Sequence, residues 1–232
     1  DRHVARTRGR RIRAPTKLRP KTRALARGLE LSPGRLRRRS GIKGIKMMEE
    51  AAHTFYWYDL ETFGLDRRRD RPAQFAGCRT DAEQNFLEGG SGETLYMRPS
   101  EDYLPSPESV LLTGITPQEC QERGLPEHDF AREVWSRFNA PGTISIGYNT
   151  LGFDNEVCRF LFWRNFQDPY AHQWMNGCGI WDLYPVIVAY WALRGEGVVW
   201  PDWKDVTVRQ PEEERSGVCF RLEELAKANG IL

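Results

Sequence analysis

The chain has 232 residues, 40% hydrophobic and 12% aromatic, enough to build a core in one large domain or two small ones. Its formal net charge of +2 hides a segregation: residues 1–46 hold 17 of the 34 Lys/Arg against only Asp1 and Glu30, and the remainder sets 17 bases against 30 acids. The cysteines (Cys78, Cys120, Cys158, Cys178, Cys219) show no Cys-x-x-Cys pair, which argues against a disulfide framework or a zinc site. The longest apolar segment, Leu183–Leu193, is too short to span a bilayer, and no apolar signal core follows the basic start. The expectation is a cytoplasmic protein with reduced thiols and no membrane contact.

Residues 1–46 are Arg-rich and without sustained periodicity, a composition that does not fold alone. Three readings fit this extension: upstream sequence translated in frame, a solvated tail, or a basic arm that grips nucleic-acid phosphates. Its Arg-rich, acid-poor character also suits an organelle transit peptide. Composition changes abruptly at Met47-Met48, and 47–232 is expected to be the folded part.

Thr54–Tyr58 predicts a first strand, Pro72–Thr80 a second and Thr94–Arg98 a third, with Gly89-Gly-Ser-Gly92 as the last turn. Short links between them predict an antiparallel meander. Pro117–Phe138 reads as helix in two pieces, broken near Gly124-Leu-Pro126, with Thr116 as N-cap. Ile144–Tyr148 is a fourth strand and Phe153–Phe166 a helix. A loop rich in Pro, Gly and Trp runs from Asp168 to Trp181, followed by helices at Asp182–Leu193 and Phe220–Asn229. The order β-β-β-α-β-α-α predicts an α/β domain, a mixed central sheet flanked by helices.

Within that frame Asp59 and Glu61 stand at i and i+2, so both carboxylates point to one face where the first strand ends. Like charges this close repel unless a cation lies between them, and hard oxygen ligands suit Mg²⁺ or Mn²⁺. A plain surface strand end with two solvated acids is the blander alternative. Asp154 follows the fourth strand and opens a helix, a usual place for site residues on α/β sheets, although an aspartate there also serves as an N-cap. Asp59, Glu61 and Asp154 together could hold two metal ions for an in-line displacement at a phosphodiester, with water as nucleophile.

Tyr58-Asp-Leu-Glu-Thr-Phe-Gly64, Asp70-Arg-Pro-Ala-Gln-Phe-Ala76, Asp102-Tyr-Leu-Pro105, Leu112-Thr-Gly-Ile-Thr-Pro-Gln118 and Gly147-Tyr-Asn-Thr-Leu-Gly-Phe-Asp154 resemble bacterial exodeoxyribonuclease I. Arg164-Asn-Phe-Gln-Asp-Pro-Tyr170, Trp181-Asp-Leu183 and Phe220-Arg-Leu-Glu-Glu-Leu225 extend the resemblance almost to the chain end. It implies a DEDD-type 3′→5′ exonuclease with a ribonuclease-H-like fold. Such an enzyme degrades single-stranded DNA to mononucleotides with two Mg²⁺ ions, in DNA repair and recombination. Asp59, Glu61 and Asp154 would be metal ligands and catalytic acids. Glu61, Thr62 and Phe63 would line the terminal-nucleotide pocket, and Arg159, Tyr170, Trp174 and Arg221 would touch the strand, as cations and aromatic faces suit. Packing within the Asp168–Trp181 loop is the alternative for Tyr170 and Trp174. Trp181, Phe160, Phe162 and Trp163 are assigned to the core.

The resemblance also implies a fourth acid preceded by a general-base histidine in a His-x-x-x-x-Asp pattern, downstream of Ala226–Ile231. His3, His53, His128 and His172 do not supply it. The expectation is therefore a C-terminally incomplete exonuclease domain, monomeric, poorly stable and close to inactive alone. A single-strand-binding protein would be reached through further C-terminal domains. An inactive nucleic-acid-binding fragment and an RNA-directed or proofreading DEDD exonuclease are the alternatives.

Overall fold

The computed structural model describes residues 53–87, 92–206 and 216–232. The basic extension 1–46 and the Gly89–Gly92 turn expected between the second and third strands fall wholly or largely outside them. Among the described residues five strands, β1 (Thr54–Thr62), β2 (Pro72–Thr80), β3 (Glu93–Tyr96), β4 (Thr143–Gly147) and β5 (Gly179–Asp182), form one sheet in the order β3-β2-β1-β4-β5. The expected meander is present, since β1–β2 and β2–β3 pair antiparallel. β4 lies parallel to β1, and β5 parallel to β4. The helices are α1 (Pro107–Thr113), α2 (Pro117–Arg123), α3 (Glu127–Asn139), α4 (Asp154–Arg164), α5 (Leu183–Ala192) and α6 (Leu222–Ala228).

β1 alternates strictly. Tyr56, Tyr58, Leu60 and Thr62 are buried, whereas Phe55, Trp57, Asp59 and Glu61 take the other face. The buried face meets α3 through Phe130, Val134 and Phe138, and α4 through Val157, Cys158, Leu161 and Phe162. These residues recur at the i, i+4, i+8 or i, i+4 spacing of one helical stripe. Phe138 is the hub: its ring lies 4.8 Å from that of Tyr58, 5.7 Å from Phe75 and 5.5 Å from the imidazole of His172. Polar ties hold α3 to the sheet, with the Tyr56 hydroxyl donating to Glu93 at 2.6 Å and Arg137 gripping the same carboxylate at 2.6 and 2.7 Å.

Local signals explain the helix starts. Thr116 accepts from the Glu119 backbone N–H as the expected N-cap, and Ser106 caps α1 in the same way ahead of Pro107. The predicted break after α2 falls at Gly124, where a Cβ would lie 2.2 Å from the Cys120 carbonyl oxygen. Two elements differ from the sequence reading. The Asp168–Trp181 segment contains β5 as well as two short 3₁₀ turns, and α1 occupies a stretch left without structure. α1 buries no residue, so it has no apolar stripe to read.

Two residues assigned to the core are exposed, Trp163 at 67% and Trp181 at 56%. The Trp181 ring stacks on Phe55 at 6.4 Å on the second face of the sheet, and α5 next in sequence has no buried residue. No helix among the described residues is long and apolar enough to cross a membrane. All five cysteines are free thiols; Cys78 is half-buried and the other four are buried.

Replacing the hub in Phe138→Ala is expected to destabilise the domain by about 3–5 kcal/mol in urea unfolding, against within about 0.5 kcal/mol for Trp163→Ala. His172 is 1% exposed, its ring nitrogens have no hydrogen-bond partner, and burial pushes its pKa down to about 4. The unfolded chain then binds the proton more readily. Stability is therefore full above the ordinary value of 6.5 and is lost as pH falls toward about 4, by roughly 3 kcal/mol at most. Unfolding titrations of the parent and His172→Leu across that window should diverge, with the parent the more acid-sensitive.

Candidate active site

The site begins where two parallel strands part. β1 pairs with β4 from Thr54↔Thr143 to Trp57↔Ile146 and then runs on alone beside β2. Asp59 and Glu61 sit on that overhang, opposite Ala76 and Gln74. Their faces are set by the β1 alternation that buries Tyr58 and Leu60. Asp59 is exposed and Glu61 half-buried. This is the carboxyl edge of the parallel strands, where α/β sheets place their chemistry.

Asp154 is delivered to the same edge by the loop between β4 and α4. Asn149 turns the chain with φ of 61°. The buried Asp182 then clamps the loop: its Oδ1 accepts from Asn149 N at 2.8 Å and from Tyr184 N at 2.9 Å, and its Oδ2 from Leu151 N at 3.0 Å. At the far side of the loop the Asn155 N–H donates to the Thr150 carbonyl at 2.9 Å, and the Tyr58 hydroxyl donates to Asn155 Oδ1 at 2.8 Å. The neighbour of Asp154 is thereby tied to the neighbour of Asp59. Asp154 itself is the first residue of α4, not its N-cap; Phe153 holds that position without a side-chain bond. The capping role open to this aspartate is unused.

Asp154 is 7% exposed and its carboxyl is pushed up to about 7, first by burial, then by the charge of Asp59, with Glu61 and Asp182 adding to it. Glu61 is raised likewise by burial and by Asp59. Three carboxylates thus crowd one another's field, a state that a cation relieves. Among the described residues, however, no three Asp, Glu, His or Cys side chains already converge on one ion-sized point. The all-oxygen donor chemistry fits a hard divalent cation, while the side chains stand apart from a closed ligand shell.

The remaining expected residues are placed unevenly. Thr62 and Phe63 are buried, at 7% and 1% exposure. The Thr62 hydroxyl donates to the Gly64 carbonyl at 2.7 Å, and Phe63 packs with Ala73, Ile115 and Cys120, so neither side chain presents a free face to a nucleotide. Arg159, on α4, pairs with Glu156 at 2.9 and 2.5 Å and lies 4.1 Å above the Phe160 ring. Tyr170 and Trp174 are 47% and 65% exposed, as strand-facing aromatics require. Arg221 is exposed and lies 5.0 Å over the Trp203 ring. The Tyr148 hydroxyl, just past β4, bonds the Phe220 carbonyl and so ties Arg221's neighbour to the same edge.

His53, His128 and His172 make no contact with the three acids among the described residues; His53 stands at the opposite end of β1, and His172 faces the core. Asp182 and Asn155 were not singled out from sequence. The signals for Asp182 were its place in the Trp181-Asp-Leu183 segment and its position before an apolar helical run.

A family model described as exonuclease matches residues 56–203, and the chain belongs to that family, whose members depend on divalent metal. More particularly, it is similar to exodeoxyribonuclease I of Escherichia coli, with 48% identity over 178 residues, and of Haemophilus influenzae, with 44% over 178. These alignments cover 77% of this chain and 35% of each relative, so the chain spans about a third of their length. Among solved structures, E. coli exonuclease I in complex with a dA16 oligonucleotide superposes with TM-score 0.70 at 47% identity, over 78% of this chain and 36% of that one. An exonuclease I complex with the C-terminal peptide of a single-strand-binding protein gives 0.71 at 47%, over 78% and 37%. A zinc-bound form of the E. coli enzyme with single-stranded DNA gives 0.69 at 47%, over 78% and 36%. The sheet and flanking helices are those of the ribonuclease-H-like exonuclease fold.

Asp182→Ala leaves two loop N–H groups, of Asn149 and Leu151, and the Tyr184 N–H of α5 without their acceptor. It should lower stability by at least ~1–3 kcal/mol in denaturant unfolding, with Asp182→Asn, which keeps one oxygen, losing less.

Proposed function

We propose that the chain carries the nuclease part of a 3′→5′ exonuclease that shortens single-stranded DNA by hydrolysing its terminal phosphodiester. The carrying observation is the placing of Asp59, Glu61 and Asp154 together at the carboxyl edge of β1 and β4, where burial and the charge of Asp59 raise the carboxyls of both Glu61 and Asp154. In this reading Asp59, Glu61 and Asp154 hold two Mg²⁺ ions, with Mn²⁺ able to replace them. Such ions, when bound, polarise the phosphodiester and lower the pKa of attacking water. The chain's own residues hold and orient. Asp182 and Asn155 fix Asp154, and Thr62 and Phe63 stiffen the floor beneath the acids. Tyr170 and Trp174 offer stacking faces to unpaired bases, and Arg159 and Arg221 face phosphates.

DNA as substrate, and a single-strand-binding protein as partner, are supported by the solved relatives bound to an oligonucleotide and to that protein's C-terminal peptide. Free, unpatterned thiols favour the cytoplasm. We assign residues 1–46 to an extension separate from the catalytic unit, on the charge segregation of the sequence.

No histidine contacts the acids among the described residues, and a constellation that lacks a positioned general base loses about 10²–10⁴-fold in rate. Binding without turnover is therefore the second reading. Both are tested together. Calorimetric titration with Mn²⁺ should show binding that Asp59→Ala and Asp154→Ala each weaken at least about tenfold, as loss of a charged ligand requires. A 5′-labelled DNA strand with Mg²⁺ should yield a slow mononucleotide ladder, absent in Asp59→Ala. Metal binding indifferent to both substitutions would overturn the proposal; binding without a ladder would select the second reading. An RNA strand run in parallel separates the two sugars.

A further inference from the structure

Beside the acids lies a cleft of about 380 Å³ between the loop that follows β1 and the first turns of α4. Its walls carry Arg67 and Arg68 on one side and Arg159 and Phe160 on the other. The loop is built rather than slack. The Asp66 carboxylate accepts from the backbone N–H of Arg68 at 3.0 Å and of Arg69 at 3.3 Å. Asp70 accepts from Asp66 N at 2.7 Å and from the Tyr103 hydroxyl at 2.9 Å. Across the cleft the Phe160 ring has two guanidinium groups near it, Arg159 at 4.1 Å and Arg68 at 5.4 Å from its centre, so like charges share one aromatic ring.

The two acids at the cleft do not neutralise it. Glu156 is hydrogen-bonded to Arg159 and feels Arg67 only through its field, and Asp66 holds the loop while its nearest cation is Arg69 at 4.0 Å. Arg67 and Arg68 have no carboxylate within ion-pair distance among the described residues, and both are exposed. Two exposed guanidinium groups without an ion-pair partner, one of them sharing the Phe160 ring with Arg159, make a receptor for a tetrahedral oxyanion. The cleft's position selects which one. Its loop starts directly after Glu61, Thr62 and Phe63, and its helix starts at Asp154. In the nuclease reading these short chain connections make the cleft the neighbouring seat for the strand's phosphates.

We propose that Arg67 and Arg68, the latter sharing the Phe160 ring with Arg159, form a phosphodiester seat that holds the single strand beside the acids. This rests on the nuclease reading for its ligand, but its test needs neither metal nor turnover. Fluorescence anisotropy with a 5′-labelled oligothymidylate in EDTA should show Arg67→Ala/Arg68→Ala binding about tenfold more weakly, with a salt slope lower by about 1–2. Arg69→Ala, which removes one charge from a residue turned to solvent and paired with Asp66, should change affinity by less than about twofold. Unchanged affinity in the double variant, an equal loss in Arg69→Ala, or no strand binding by the parent would each overturn the seat. So would competition by inorganic phosphate or thymidine monophosphate as effective, per phosphate, as the strand, since that would assign the cleft to a free monoester. Metal binding lost in Asp59→Ala would still stand in any of these cases, so failure here is distinct from failure of the nuclease reading.

Discussion

Everything in this domain depends on the two-residue repeat of β1. One nine-residue strand must satisfy two incompatible environments, and the pleat separates them. Tyr56, Tyr58 and Leu60 turn toward α3 and α4 and are packed around Phe138, while Asp59 and Glu61 turn away from that core. A slip of one residue in the β1–β2 register would bury both carboxylates and expose two tyrosines, so the core specifies the site as firmly as any direct contact does. The register is also pinned at the β3 side, where Tyr56 and Arg137 share the Glu93 carboxylate.

The electrostatics follow from where pairing stops. β4 accompanies β1 only as far as Trp57, so the last residues of β1 lack a neighbour on that side and leave room for the β4–α4 loop. That loop carries Asp154 into the field of Asp59 and Glu61, and its backbone is held by a fourth carboxylate, Asp182, whose three N–H donors keep it in place. The fold therefore stores repulsion among three acids and spends hydrogen bonds on a fourth to maintain it. Such an arrangement is unfavourable for an empty protein and favourable for one that receives cations.

Much of this was legible in the sequence because its signals are local. Asp59 and Glu61 at i, i+2 after an aromatic run, the Thr116 cap before Pro117, and three closely linked β-prone stretches each translate directly into geometry. What escaped depends on partners far along the chain. β5 is four residues in a loop-like context, and only pairing with β4 makes it a strand. Trp181 looked like core because tryptophan usually is, yet its strand presents it on the open face beside Phe55. Thr62 and Phe63 directly follow the acids, but the bulge in register after Glu61 and the turn toward Arg71 draw both inward. Asp182 entered the sequence reading only as the start of a helix and within the Trp181-Asp-Leu183 segment, and Arg67 and Arg68 did not enter it at all. In each instance adjacency in sequence was a poor guide to adjacency in space.

The distribution of thiols gives the molecule a built-in clock. Cys158 lies in the α4 stripe directly beneath Asp154, with its thiol raised by burial, and Cys120, Cys178 and Cys219 are likewise enclosed, whereas Cys78 is half-open. An alkylating reagent applied to the folded protein therefore reaches one sulfur without opening the fold and the other four only during transient local opening. The lag between the first and later modifications measures how often the scaffold breathes, and modification at Cys158 in particular timestamps the moments when the helix bearing Asp154 has lifted from its strand.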